Sequence, residues 1–350
     1  MAIALDRLSE LNAVSGFEGE AREYLIPILK EKCDNIEVDS MGNIICFKRG
    51  VSNKHTVLIG TNIDEVGFIV SNITDTGFIK FKAVGVTDPR TLISKTVTIG
   101  KDRVKGVIGM KAIHLQKREE RESAVKVSDL YIDIGETKKK DAEKRVQLGD
   151  MIAFDTKFSE IGDIIKGKAL DRFGITAVIS AMDEKPAYDT YYVFSTQREI
   201  PCAVMGRGMR IAAFRIKPDY ALIVNTINSD DFYGSKSIAA KLGEGVAIEY
   251  MDRGSISNTV FLNKIANLAK KNSILVQDKT ASLGTSVTGA VNTASCGAVT
   301  ASIAIPCRYS HTPVQYMNIN DINATGELCA VFARESDVII NEFIEETNGN

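Results

Sequence analysis

Short polar clusters that could do chemistry follow apolar runs at five places in this chain. Val57-Leu58-Ile59-Gly60 leads to Asn62, Asp64 and Glu65, and Lys168-Ala169-Leu170 leads to Asp171 and Arg172. Val193-Phe194-Ser195 leads to Arg198 and Glu199, Leu222-Ile223-Val224 to Asn225, and Ile303-Ala304-Ile305-Pro306 to Arg308, Tyr309 and His311. Carboxylates with an imidazole can hold a divalent metal or move protons. The chain has only three histidines, His55, His114 and His311, so a metal site here must be built mainly from carboxylates. Singly, each residue has a plainer reading. Asp171 could cap a helix, Asn225 could shape a turn, and His311 could be a hydrogen-bonded loop histidine. Asp64-Glu65 and Arg198-Glu199 could be solvated charge. Their joint placement favours one shared site at the carboxyl edge of a sheet.

The elements that must position them follow from periodicity. Helical spacing covers residues 3–12 and 16–34, the latter opened by a Ser15/Glu18 capping box. A hairpin of Ile36–Val38 and Ile44–Phe47 follows. From about 68 to 160 short strands alternate with glycine turns, and Lys138–Arg145 supplies one helix. This stretch predicts a small β-rich domain, with the mixed-sign run 117–122 as a solvated loop. Beyond it, helices at 175–182, 209–214, 258–271 and 322–343 alternate with strands at 191–195, 220–224, 274–276 and 299–305. The expected fold is α/β: a mixed sheet with helices on both faces, formed by residues 1–67 and 161–350 and interrupted by a β-rich domain at 68–160.

At 350 residues, two domains are the natural expectation. A net charge of −2 gives no surface for nucleic acid or an anionic membrane. No apolar run approaches the roughly 20 residues that span a bilayer, and the first residues lack a signal-peptide pattern. Six scattered cysteines without a CxxC pair point to a reducing compartment, the cytoplasm.

Four blocks carry a resemblance. Asn62-Ile63-Asp64-Glu65-Val66-Gly67, Gly167-Lys168-Ala169-Leu170-Asp171-Arg172, Thr196-Gln197-Arg198-Glu199 and Ile305-Pro306-Cys307-Arg308-Tyr309-Ser310-His311-Thr312-Pro313 resemble, in order, the signature blocks of the tetrahedral aminopeptidase family. Its glutamyl and deblocking aminopeptidases include members that go by the names endoglucanase or cellulase. The resemblance implies an α/β peptidase domain with an inserted β domain, short-peptide substrates, and dimers that assemble into a dodecamer. It also implies two divalent metals, usually zinc or cobalt, and a glutamate as general base.

Residue by residue the match is incomplete. Asn62 stands where the family has a histidine ligand, while Asp64, which orients that histidine, remains. Asp171 matches the bridging aspartate, but the family's extra residue before the arginine is missing. Arg198 stands at the position of the glutamate base, and Glu199 matches the ligand after it. Asn225 replaces an aspartate ligand, and His311 matches the last histidine ligand. Asp171, Glu199 and His311 would hold one metal; Asn62 and Asn225 mark a degraded second position. Asparagine is a poor zinc ligand, and a guanidinium cannot accept a proton near neutral pH.

The expectation is therefore at most one divalent ion, zinc or cobalt, or none, with Asp64 and Arg198 at catalytic positions. Arg198 and Arg172 are expected to offset the charges of Asp64, Asp171 and Glu199. Arg198 should reach one of those carboxylates through a turn assisted by Pro201. Two activities stay open: a weakly active or non-catalytic peptide-binding homo-oligomer, and a one-metal hydrolase using Asp171, Glu199 and His311. No carboxylate pair suited to a sugar bond is evident.

Overall fold

The computed structural model describes residues 3–200, 206–235, 240–279, 284 and 286–348. In chain order the strands are β1 (Asn35–Val38), β2 (Ile44–Lys48), β3 (Ser52–Asn62), β4 (Gly67–Ile73), β5 (Ile79–Val84), β6 (Thr96–Ile99), β7 (Val104–Met110), β8 (Leu130–Asp133), β9 (Met151–Phe154), β10 (Ser159–Ile161), β11 (Ile164–Gly167), β12 (Tyr188–Ser195), β13 (Tyr220–Asn228), β14 (Val246–Glu249), β15 (Val276–Lys279), β16 (Val299–Cys307) and β17 (Gln315–Asn318).

Eight of these form one mixed sheet in the order β1-β2-β12-β3-β13-β16-β14-β15. Its centre, β12-β3-β13-β16, is parallel throughout. Strands buried on both faces must be apolar at successive positions, and β3 and β13 are. Leu58, Val193, Ala221 and Ile223 point to one face, under the helices Arg207–Ile216 and Thr288–Asn292. Ile59, Leu222 and Val224 point to the other, under Gly19–Lys30, Gly174–Ala181, Thr259–Lys271 and Ile319–Asn348. Each large apolar side chain so buried contributes about 1.5–3 kcal/mol before entropy is counted. Asn258 caps the helix Thr259–Lys271 by accepting the Phe261 N–H at 3.1 Å.

β4-β5-β8-β7-β6-β9 close into a barrel inserted after β3. It has its own core, in which Phe68 packs edge-on against Phe81 and Phe154 with ring centroids 4.9 and 5.5 Å away. β10, β11 and β17 form a separate small sheet. No helix among the described residues is long and apolar enough to cross a membrane.

Several local expectations are corrected. The second helix is shorter, Gly19–Lys30, and Ser15/Glu18 is not a capping box. Buried Glu18 instead accepts N–H bonds from Gly16 at 2.7 Å and Gln197 at 3.0 Å. Residues 118–122 form a short exposed helix rather than a loop, supported by the Arg118–Glu122 pair at 2.9 Å, an i,i+4 spacing. The helix in the lysine-rich stretch covers only Lys139–Ala142. β13 continues to Asn228, so Asn225 lies within a strand, opposite Ala304, and not at its end.

Candidate functional site

Three loops at the carboxyl edge of the sheet bring the expected residues together. Each loop contains a non-glycine residue with positive φ: Ala169 (52°), Gln197 (55°), and Tyr309 and His311 (60° and 62°). Such conformations are costly for residues with a Cβ and collect where a structure must aim a side chain. Gln315 steadies the first loop, its Oε1 accepting the N–H groups of Leu170 at 2.7 Å and Asp171 at 3.3 Å. The third is braced by Arg308, which forks onto Asp231 at 2.9 and 2.7 Å. Pro201, expected to assist the turn, lies outside the described residues; within them the chain bends over residues 198–200, just after Gln197.

Asp171, Glu199 and His311 converge, each offering a ligand atom within 4.8 Å of the others. His311 Nε2 lies 3.5 Å from Glu199 Oε1 and 3.7 Å from Asp171 Oδ2. Asp171 and Glu199 are buried, and His311 keeps 30% of its side chain exposed at the mouth. Neither oxygen of Asp171 nor Oε2 of Glu199 has a hydrogen-bond partner among the described residues. Buried acceptors without donors, two carboxylates and one imidazole, fit a divalent cation such as zinc. The barrel supplies part of the wall. At Gly85, in the loop after β5 and at φ 87°, a Cβ would come within 3.2 Å of the Glu199 Cβ.

Arg198 Nη1 donates to Glu199 Oε1 at 2.7 Å, and its buried Nε has no partner among the described residues. Asp64 accepts the Glu199 N–H at 2.9 Å. Burial, then the charge of Glu199, pushes the Asp64 carboxyl up to about 7. Burial also opposes ionisation of Glu199, but His311 and Arg198 outweigh it and hold its carboxyl at about 2. Burial raises Asp171, with His311 offsetting part of the effect. Burial disfavours the His311 imidazolium, yet Glu199 overcomes this and raises its pKa.

Arg172 makes its ion pair outside this cluster, so its offset of the Asp171 charge acts only at a distance and ranks below those of His311 and Arg198. Its Nη2 pairs with Glu65 Oε1 at 2.7 Å, and Lys168 reaches the same oxygen at 3.4 Å. Glu65 is thereby satisfied away from the triad and also accepts the Ala13 N–H at 2.9 Å. Lys168 Nζ continues to Asn12 at 2.7 Å, and Asn12 to Thr98 of the barrel at 3.0 Å. This buried network joins the barrel to the sheet.

Asn62 and Asn225 lie on the neighbouring strands β3 and β13, each two residues beyond the last pair of that ladder, Gly60 with Ile223. One buried acidic neighbour was missed. Glu249, at the end of β14, is buried, and its Oε2 accepts from Ser302 Oγ at 2.7 Å. Burial, partly relieved by that bond, raises its carboxyl to about 7. The signal was present in the sequence: Val246-Ala247-Ile248 before Glu249 repeats the pattern of an apolar run ending in a carboxylate.

Comparison with known proteins is consistent across the chain. A family model described as M42 glutamyl aminopeptidase matches residues 42–328. A protein of Acetivibrio thermocellus, provisionally named an aminopeptidase, is 35% identical over 330 residues, covering 93% of this chain and 96% of its own. A crystal structure of a TET aminopeptidase from a marine sediment archaeon of the Thaumarchaeota is similar at a TM-score of 0.90 and 26% identity, covering 97% of this chain and 98% of that one. The Pyrococcus horikoshii TET1 peptidase, which can assemble into a tetrahedron or a large octahedral shell, is similar at a TM-score of 0.82 and 28% identity, covering 95% of this chain and 98% of that one.

Proposed function

Because the chain belongs to the M42 glutamyl aminopeptidase family, we propose that it engages the amino-terminal ends of short peptides and cleaves them weakly or not at all. One observation carries this reading: the guanidinium of Arg198, 2.7 Å from Glu199, at the position where the resemblance puts a proton-accepting glutamate. A guanidinium has only donors and keeps its charge at any ordinary pH, so it cannot take a proton from an attacking water.

Asp171, Glu199 and His311 are the residues that would hold a divalent ion, zinc or cobalt. When bound, such an ion supplies Lewis-acid polarisation of a carbonyl oxygen. The reading allows one ion at most, since Asn62 and Asn225 offer only neutral amides at the second position. Asp64 orients the Glu199 loop through its bond to the Glu199 N–H. The buried acceptors of Asp171 and Glu199 support a second reading, a working one-metal hydrolase with those three residues as ligands.

Elemental analysis of the purified protein, paired with hydrolysis of aminoacyl p-nitroanilides, tests both. The expected result is no more than one zinc or cobalt per chain and turnover near background. Robust cleavage with one ion favours the second reading, and two ions per chain sink both.

The same proposal covers assembly and place. Residues 68–160 act as the oligomerisation domain of a dimer-based homo-oligomer, up to a dodecamer, with 1–67 and 161–350 as the peptidase-like body. The shells of the Pyrococcus horikoshii relative support this; a monomer by light scattering would end it. Five described cysteines without disulfides suit a cytoplasmic protein.

A further inference from the structure

Asn225 uses only one end of its amide. Its Nδ2 donates to Ser302 Oγ at 2.8 Å and to Thr288 Oγ1 at 3.3 Å. The hydroxyl hydrogen of Ser302 is engaged elsewhere, donated to Glu249 Oε2 at 2.7 Å. A hydroxyl has a single hydrogen, so Ser302 can only accept from Asn225, and the amide is not free to turn over. What remains is Asn225 Oδ1, buried and without a partner among the described residues. Glu249, Ser302 and Asn225 are each 2% exposed, so the chain of bonds that fixes the amide is itself buried.

Asn62 repeats the arrangement on the neighbouring strand. Its Nδ2 is directed at the Asp64 carbonyl at 3.4 Å, and its Oδ1 is also buried and unpaired among the described residues. Both asparagines prolong the face of Leu58 and Ile223, beside the edge where Asp171 keeps two unpaired oxygens. Together these atoms are acceptors in want of donors. The two amide oxygens are too weakly basic to hold a metal of their own, but suit a group that carries only N–H donors.

We propose that Glu249 is a positioning residue: acting through Ser302, it fixes Asn225 so that the amide oxygen, together with that of Asn62, receives the primary ammonium of a peptide's first residue. An ammonium has three donors and no acceptor, the complement of this set. The inference rests on the peptide-end reading above and deepens it. It assigns Asn62 and Asn225 a role of their own.

The test compares binding of L-leucinamide and N-acetyl-L-leucinamide to the intact protein by calorimetry. Leucinamide is expected to bind at least tenfold more tightly, because acetylation removes the ammonium. Ser302→Ala and Glu249→Met, which free the Asn225 amide, should each remove most of that preference while binding of the acetylated compound stays the same. Glu249→Gln should keep it, since the glutamine carbonyl can still accept from Ser302. A merely structural role would weaken both compounds alike and would not be rescued by glutamine. Equal affinity for the two compounds, or a preference untouched by Ser302→Ala, overturns the inference and leaves the peptide reading standing. Failure of both compounds to bind overturns both.

Discussion

Arg198 donates from Nη1 to the Glu199 carboxylate at 2.7 Å although the two residues are adjacent in the chain. On an extended strand neighbouring side chains leave opposite faces. They meet here because the chain is not extended at this point: Gln197 takes φ 55° and residues 198–200 form a bend, so both side chains can enter the cleft. The positive charge therefore lies against a candidate metal ligand.

That contact predicts competition. Arg198→Gln should tighten zinc binding by at least about tenfold, since a unit charge beside the ligand opposes the ion. A chelator-dye titration measures it. Unchanged affinity would show that the guanidinium and the ion do not compete.

Restoring chemistry should need more than the base. Arg198→Glu alone adds a carboxylate to a site still lacking two ligands, and no peptidase activity should return. The triple change Asn62→His, Arg198→Glu and Asn225→Asp should recover dipeptide cleavage with added zinc or cobalt, read by amino-acid release. Recovery by the single change would mean that one metal suffices.

The raised carboxyl of Glu249 has a thermodynamic consequence. Its folded value of about 7 exceeds its ordinary 4.5. The native state thus binds the proton more tightly, and the associated stability is full below about 4.5 and lost as pH rises through 7. Between pH 5 and pH 8, Glu249→Gln should gain on the parent chain by roughly 2–3 kcal/mol. Urea unfolding at the two pH values checks this; a constant difference between the proteins would contradict it.

The buried Glu65 network predicts a stability effect away from the cleft. Glu65→Ala leaves Arg172 and Lys168 buried without their counter-charge and should cost about 3–5 kcal/mol. Adding Arg172→Met and Lys168→Met should recover most of it, because the cost is the uncompensated charge. Chemical denaturation of the three proteins decides the point.

Much of this was legible in the sequence because burial imposes period and composition. The runs before Asn62, Arg198 and Asn225 became β3, β12 and β13, and the blocks at 171, 199 and 311 met in one cleft. What was not legible depended on partners distant in sequence. Nothing local distinguishes Arg172 facing Glu65 from Arg172 facing Asp171. Glu18 looked like a helix cap until its partner proved to be Gln197, on a strand-end loop 179 residues away. Glu249 was missed because β14 is four residues long and runs antiparallel to β16, which breaks the strand–helix rhythm.

The loop that carries Arg198 is held chiefly through its backbone. The N–H groups of Thr196, Gln197 and Glu199 are accepted by Asn43 at 2.9 Å, Glu18 at 3.0 Å and Asp64 at 2.9 Å. None of these bonds involves the side chain at position 198. These three bonds thus do not depend on the occupant: exchanging arginine for glutamate or glutamine at position 198 removes none of them. Position 198 is a place where this scaffold can lose a reaction, or be given one, while the fold stays intact.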